Sequence, residues 1–128
     1  MSVTYSPTAI DYRLNGVVSA IDSGGGNGSL VLMADSTVIS TISLSRPCGT
    51  VSGGILTFTG TLLDPSAAAT GVVNNAQIWN SAGVVMISNM TTAPPGFTAD
   101  VIIANGLNST RISSGQAVMV LAAQIQGS

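Results

Sequence analysis

The stretch ILTFTGTLL, residues 55–63, has the clearest alternation of apolar and polar side chains in the sequence. In an extended segment, successive side chains point to opposite faces. One face would carry Leu56, Phe58, Gly60 and Leu62, and the other would carry Thr57, Thr59 and Thr61. This period of two predicts a half-buried antiparallel strand with a threonine ladder on its solvent side.

Other segments rich in β-branched and apolar residues follow one another at short spacing. They predict strands at residues 29–34, 37–45, 72–80, 84–90, 97–103 and 117–126. The glycine-containing loop at 81–83 predicts a hairpin, and RPCGTVSGG at 46–54 reads as a turn. On the last strand, Val118, Val120 and Ala122 should share one side. The pattern predicts an all-β, mainly antiparallel sandwich or jelly-roll-like domain with a short N-terminal α-helix.

The helix is predicted just before the glycine-rich segment. Ser6 is a suitable N-cap, and Pro7 fits the first helical position. A narrow apolar stripe recurs at helical spacing, with Val17 or Val18 as its third member: Ile10, Leu14, Val17, Ile21. The chain would then divide into an arm and helix at 1–23, a glycine hinge at 24–28 and the β domain at 29–128. The hinge glycines are Gly24, Gly25, Gly26 and Gly28, and we expect at least one of Gly24 and Gly26 to need a positive φ.

Charge is scarce: 6% of the residues are charged, with three Lys or Arg, five Asp or Glu and no histidine. The arginines Arg13, Arg46 and Arg111 lie far apart in sequence, so nucleic acid is not an expected partner. No apolar run approaches a membrane span, and the N-terminus does not resemble a secretory signal. We therefore expect synthesis in a cytoplasm. A surface so poor in charge has little protection against association, so copies of the chain or a partner should cover it.

Catalytic chemistry is hard to build from this composition. The sequence has no histidine, lysine or glutamate, which excludes the usual nucleophile–base arrangements. Asp11, Asp22, Asp35 and Asp64 fall at the helix or in predicted turns, where aspartate usually bonds the local backbone. The single cysteine, Cys48, should be a partly buried turn residue. We expect no enzyme activity, cofactor, metal or small-molecule substrate.

Two features that could suggest ligand binding have simpler interpretations. SGGGNG at 23–28 follows a helix, whereas a phosphate-binding loop precedes one, and no lysine follows it. Trp79 could offer an aromatic platform to a sugar, but a lone tryptophan in a small sandwich is more often a core residue. The methionines in the predicted strands are interpreted as core residues or as part of a contact surface: Met33, Met86, Met90 and Met119.

The segments RLNGVVSAIDSGGGNGSLVL at 13–32 and GLNSTRISSGQAVMVLAAQI at 106–125 resemble a group of small virion proteins of tailed bacteriophages. Members of that group are encoded among head genes and are described as structural or decoration proteins. The resemblance implies a capsid cement protein, a homodimer or homotrimer that binds the major capsid protein on the virion surface. It implies no catalytic residues.

Under this interpretation, residues 2–21 would contact the capsid or another subunit through Ile10, Leu14, Val17 and Ile21. A tail, neck or fibre-base module that contacts host glycans remains an alternative. A non-viral adhesin module is a further alternative, disfavoured by the absence of a signal-like segment.

Overall fold

The structure is a computed structural model of the 128-residue chain, and it describes residues 6–22, 26–45, 48–59, 62–104 and 110–126. The helix α1 spans Pro7–Ile21. The strands are β1 Ser29–Ala34, β2 Thr37–Ser43, β3 Gly49–Ser52, β4 Ile55–Phe58, β5 Leu63–Asp64, β6 Gly71–Val72, β7 Asn75–Trp79, β8 Val85–Met90, β9 Thr92–Ala93, β10 Val101–Ala104, β11 Arg111–Ile112 and β12 Val118–Gln126.

The strands form an all-β, sandwich-like fold, as the sequence predicts. The first sheet has the order β2-β1-β7-β8, and the second has β3-β4-β12-β10-β9 with β5 paired to β12. β6 and β11 form a small separate pair. All pairings are antiparallel except the short one between β9 and β10. The predicted hairpin is confirmed as β7 and β8.

The core lies between the inner faces of the two sheets. The first sheet contributes Leu30, Leu32, Ile39, Ile42 and Ile78, and the second contributes Leu56, Phe58, Val101, Ile103 and Val120. Because side chains alternate along each strand, burying these residues turns the intervening ones outward. The fold therefore presents two outer sheet faces, one on each side of the sandwich.

The helix begins and ends close to its predicted positions. The Ser6 side chain accepts a 3.1 Å hydrogen bond from the Ala9 N–H, which satisfies one of the free donors of the first turn. Pro7 stands in the first turn, and Asp22 is the C-cap. The helix packs against β3 and β4 and also touches β8. Gly24, the first of the predicted hinge glycines, lies outside the described residues.

Three strand predictions need correction. The turn predicted at 46–54 contains β3, whose hairpin with β4 turns at Gly53 and Gly54, both with positive φ. The single strand predicted at 55–63 is two strands, β4 and β5, that pair with different parts of β12. Its alternation nevertheless holds, since Leu56, Phe58 and Leu62 are buried.

The third correction concerns the last strand. Val118 and Val120 are buried as predicted, but Ala122 is exposed and Ala123 is buried instead. Ile102 pairs with Ala122 and Ile103 with Val120, which leaves Leu121 as an extra residue in β12. Such a β-bulge reverses the inward and outward phase of the strand beyond it.

Candidate functional site

The outer face of the first sheet carries the only tryptophan. Trp79 pairs with Ser29, which places it on the face opposite to its core neighbour Ile78. It is half-buried, and its indole Nε1 donates a 2.8 Å hydrogen bond to Gln77 Oε1 on the same strand and face. The expectation that Trp79 belongs to the core is therefore wrong. Its ring is fixed on an outer sheet face.

This face is compact and uncharged. Val31 lies directly opposite Gln77 and is fully buried, although it points away from the core between the sheets. Val85 lies opposite Trp79 and is 44% exposed. We call this surface the Trp79 face and define it by Ser29, Val31, Gln77, Trp79 and Val85. None of these residues is charged.

The outer face of the second sheet is also apolar. Leu63 and Met119 are directly paired across β5 and β12, and both are exposed, at 40% and 46%. Leu121 follows on the same side of β12 and is 57% exposed because the bulge leaves it unpaired with β10. We call this surface the Leu121 face and define it by six uncharged residues: Leu63, Ile102, Ala104, Met119, Leu121, Ala122.

The Leu121 face was not predicted, although the sequence carries a signal for it. Assigning Val118 and Val120 to the core places Met119 and Leu121 on the opposite side of the strand. Large apolar residues on both sides of one strand indicate that its outer face is apolar too. Of the four methionines assigned to strands, Met33 and Met90 are buried, Met86 is partly buried and Met119 is exposed.

The predicted contact stripe of the helix lies against the chain's own core. Leu14 and Ile21 are core residues, and Ile10 and Val17 are partly buried against the core. These four side chains therefore cover the end of the sandwich next to β3 and β4. A contact between the helix and a capsid or second subunit stays a prediction, but in this fold it would use the outer side of the helix, where Tyr12 is 75% exposed.

The glycine segment is described only in part, since Gly24 and Gly25 lie outside the described residues. A Cβ on Gly26 would lie 3.3 Å from the Cβ of Ser81. A Cβ on Gly28 would lie 2.6 Å from Ile21 Cγ2 and 2.8 Å from the Trp79 carbonyl oxygen. Position 28 therefore requires glycine, because Ile21 and the Trp79 carbonyl pack against it and leave no room for a side chain. Gly26 does not have the positive φ that was predicted for it or for Gly24. A positive φ at Gly24, and the hinge interpretation of residues 24–28 as a whole, stay predictions.

The aspartates bond backbone N–H groups, hydroxyls and amides, but mostly not the local backbone that was predicted. Asp64 does accept a local bond from the Ser66 N–H. Asp11 Oδ1 accepts a 2.8 Å hydrogen bond from the Gly54 N–H, and Asp22 Oδ2 accepts a 3.3 Å hydrogen bond from the Cys48 N–H. Asp64 Oδ2 accepts a 2.7 Å hydrogen bond from Ser40 Oγ, and Asp100 Oδ2 accepts a 3.0 Å hydrogen bond from the Thr91 N–H. Asp35 bonds Asn74. Most of these bonds join distant parts of the chain, so the aspartates hold the fold together.

Cys48 is more deeply buried than the sequence suggested, and it is a free thiol. Burial, followed by the negative charge of Asp22 beside it, raises the pKa of the Cys48 thiol from 9.0 to about 12. The reactive thiolate is therefore disfavoured at neutral pH. This environment suits a structural cysteine.

The described part of the chain, residues 6–22, 26–45, 48–59, 62–104 and 110–126, has neither a concave site nor a cluster of metal ligands. No pocket opens among them, and no three His, Cys, Asp or Glu side chains converge as metal ligands within this part of the chain. The one helix described there is too short to cross a membrane. Arg13 lies on α1 and Arg111 on β11, whereas Arg46 lies outside the described residues.

The chain thus belongs to the class of all-β, sandwich-like domains, with uncharged and partly apolar faces on both outer sides. No protein-family model matches its sequence. No curated protein and no solved structure matches it either.

Proposed function

We propose that this chain is a non-enzymatic structural protein of a tailed-phage virion, a cement or decoration protein that binds the major capsid protein on the shell surface. The single observation that carries the proposal is the pair of uncharged outer faces, the Trp79 face and the Leu121 face, on opposite sides of one small domain. The resemblance of residues 13–32 and 106–125 to phage virion proteins supports the same assignment.

Two opposite faces suit a protein that bridges its neighbours. A domain with one docking face can only end an assembly, whereas a domain with two can join a second copy on one side and a shell subunit on the other. Each contact can be weak, because symmetry repeats it many times on a capsid and the summed contact becomes large. Homodimers or homotrimers on the capsid are part of this proposal.

A role without catalysis fits the distribution of polar groups. Each of the five aspartates accepts a hydrogen bond from another part of its own fold, and the single thiol is buried. Enzymes need titratable groups with suitable pKa values gathered in a concave site. The chemistry-bearing residues described here are spread over the structure and already have a structural task.

The test is binding to capsid shells of the phage that encodes the chain. Purified protein is mixed with shells lacking it, and a cryo-EM map is calculated for the decorated particle. The proposal expects density for the domain at symmetry-related positions on the shell, together with increased resistance of the particle to heat. If the shells bind none of the protein and density for the chain lies instead in the tail or neck, the capsid assignment is wrong.

The alternative is a tail, neck or fibre-base module that contacts host glycans, and the placement of Trp79 favours it. A tryptophan fixed on an outer sheet face, with the amide neighbour Gln77 and the hydroxyl neighbour Ser29, has the chemistry to stack on a neutral sugar. A glycan array tests it: signal lost in Trp79→Ala but kept in Phe97→Ala supports this alternative. Phe97 is a suitable control because it is 65% exposed and lies in the loop between β9 and β10, away from strand β7.

A further inference from the structure

We infer that the step from Asn27 to Gly28 is a modification site, at which the folded chain deamidates spontaneously. Asn27 is exposed and lies between α1 and β1, directly before Gly28. A glycine obstructs attack of its own backbone nitrogen on the preceding side chain least of all residues, because it has no Cβ. The site lies outside the residues that define the two outer sheet faces, so it does not depend on the proposed capsid function.

The reaction needs only the chain and water. The Gly28 nitrogen attacks Asn27 Cγ, and the bond from Cγ to the side-chain amide nitrogen breaks. The proton lost by the Gly28 nitrogen passes through water to the departing nitrogen, which leaves as ammonia. Water then opens the resulting cyclic succinimide at either of its carbonyl carbons. The products are aspartate or isoaspartate at position 27, and in isoaspartate the main chain is one carbon longer.

Neither reacting group is held by a hydrogen bond. Within the described residues, no hydrogen bond involves the Asn27 side chain or the Gly28 N–H. The Gly28 carbonyl accepts a 2.9 Å hydrogen bond from the Leu44 N–H, but that bond holds the peptide group that follows Gly28. Ring closure rotates the preceding peptide group, between Asn27 and Gly28. No hydrogen bond to the Gly28 N–H opposes this rotation.

A second Asn-Gly step allows a comparison at equal sequence chemistry. Asn15 is also exposed and is followed by Gly16, but both residues lie inside α1. Asn15 Nδ2 donates a 3.0 Å hydrogen bond to the Asp11 carbonyl oxygen, and the N–H of Gly16 belongs to the helical ladder. Ring closure at Asn15 would have to break both bonds. The helix therefore protects this step, whereas the step before β1 has no such protection.

Asparagines of the first sheet are protected in other ways. Asn80 Oδ1 accepts a 3.0 Å hydrogen bond from the Ala82 N–H and a 2.9 Å hydrogen bond from the Val84 N–H. Asn89 is exposed, but the residue that follows it is Met90, whose side chain hinders attack by its own nitrogen. Asn27 combines an unbonded side chain with a following glycine.

Isoaspartate at position 27 would disturb the junction between α1 and β1. Gly28 is packed between Ile21 and the Trp79 carbonyl, where even a Cβ has no room. The extra main-chain carbon must therefore be accommodated on the side of α1. Deamidation also adds a negative charge to a chain whose formal net charge is −2. The isoaspartate form should be both more acidic and less stable than the unmodified chain.

The test is prolonged incubation of the purified chain at neutral and mildly alkaline pH, followed by peptide mapping with mass spectrometry. Deamidation at each asparagine is read from the mass increase that accompanies exchange of an amide for an acid. In the folded chain, Asn27 should react faster than Asn15 by about tenfold or more, the factor expected when two hydrogen bonds must break first. In urea the two should react at similar rates, because glycine follows each. Asn105, which precedes Gly106 outside the described residues, is measured on its own peptide.

Three variants separate the modification from its consequences. In Asn27→Gln the longer side chain would have to close a larger ring, so the acidic species from this site should disappear. Asn15→Gln is the matched control and should leave its accumulation unchanged. Asn27→Asp adds the charge without lengthening the main chain. It should melt close to the unchanged chain, whereas the isoaspartate form, purified by ion exchange, should melt at a lower temperature.

Two results would overturn the inference. One is deamidation of the folded chain at Asn15 as fast as at Asn27. The other is an Asn27 that reacts in urea but stays intact in the folded chain, which would mean that the packing around Gly28 protects the site. Neither result bears on binding to capsid shells, and a chain that binds no shell would leave the modification site unaffected.

Discussion

Ser40 Oγ donates a 2.7 Å hydrogen bond to Asp64 Oδ2, and this bond joins the two sheets along one open side of the sandwich. Ser40 lies on β2, an edge strand of the first sheet, and is fully buried. Asp64 lies on β5 of the second sheet and also accepts a 3.1 Å bond from the Ser66 N–H. An exposed edge strand is a liability, because its free backbone groups invite pairing with other chains. The Ser40–Asp64 bond fixes β5 and the following loop beside that edge.

Replacing Ser40 with alanine should therefore destabilise the fold. The variant leaves the part-buried Asp64 carboxylate with one donor fewer, and the free energy of unfolding should fall by about 1–3 kcal/mol. Chemical denaturation measures the change. Ser43→Ala is the matched control on the same strand, since Ser43 is exposed. Equal stability of the two variants would show that the bond between the sheets contributes nothing.

The backbone at Gly28 should tolerate no side chain. Gly28→Ala places a Cβ against the Trp79 carbonyl oxygen, a backbone atom that cannot move without shifting β7. Overpacking of this kind costs about 1–3 kcal/mol. Gly16→Ala is the opposite case, because a Cβ there meets nothing within 4 Å and the residue is helical. It should stabilise the chain by about 0.5–1 kcal/mol.

Thermal unfolding of these two glycine variants should give melting temperatures on opposite sides of that of the unchanged chain. A Gly28→Ala variant as stable as the unchanged chain would mean that the loop moves easily away from Trp79. This result would favour the hinge interpretation of the glycine segment over the close packing described here.

Stability should decline at alkaline pH because of Cys48. In the folded chain the pKa of this thiol is about 12, whereas in the unfolded chain it returns to about 9.0. Above pH 9 the unfolded state therefore loses a proton that the folded state keeps, and mass action favours unfolding. The free energy of unfolding should fall between pH 9 and 12 and be unaffected by this group below pH 9. In Cys48→Ala the decline that this thiol causes should be absent, so parallel pH profiles for the two chains would contradict the assignment.

Much of the fold could be predicted because its signals are local. Ser6 and Pro7 mark the start of the helix, and alternation between apolar and polar residues locates β4. Runs rich in apolar and β-branched residues locate β1, β2 and the β7–β8 hairpin. The bulge at Leu121 left no such mark, because a register shift depends on how β10 and β12 pair and not on the composition of either strand. It is also the reason why Ala122 was assigned to the wrong side.

Trp79 was misplaced for a related reason. Its neighbours in the sequence give the strand, but which of Ile78 and Trp79 faces the core depends on the pairing of β7 with β1. Base frequencies favour a buried tryptophan, and the register overrides them. The two outer faces that carry the proposed function both depend on the register of strand pairing. The low charge of the sequence could therefore predict a surface prone to association, but it could not locate that surface.

The turn between β3 and β4 should depend on a single helix side chain. Asp11 Oδ1 accepts a 2.8 Å hydrogen bond from the N–H of Gly54. Gly54 lies in the hairpin turn and has a φ of 80°. Asp11→Ala removes this part-buried acceptor and should lower the free energy of unfolding by about 1–2 kcal/mol. Asp11→Asn retains an oxygen acceptor at the same place and should recover much of the loss. Amide hydrogen exchange at Gly54 reports the bond itself: protection should be lost in Asp11→Ala and largely kept in Asp11→Asn. Equal protection in both variants would mean that the β3–β4 turn holds its shape without the helix.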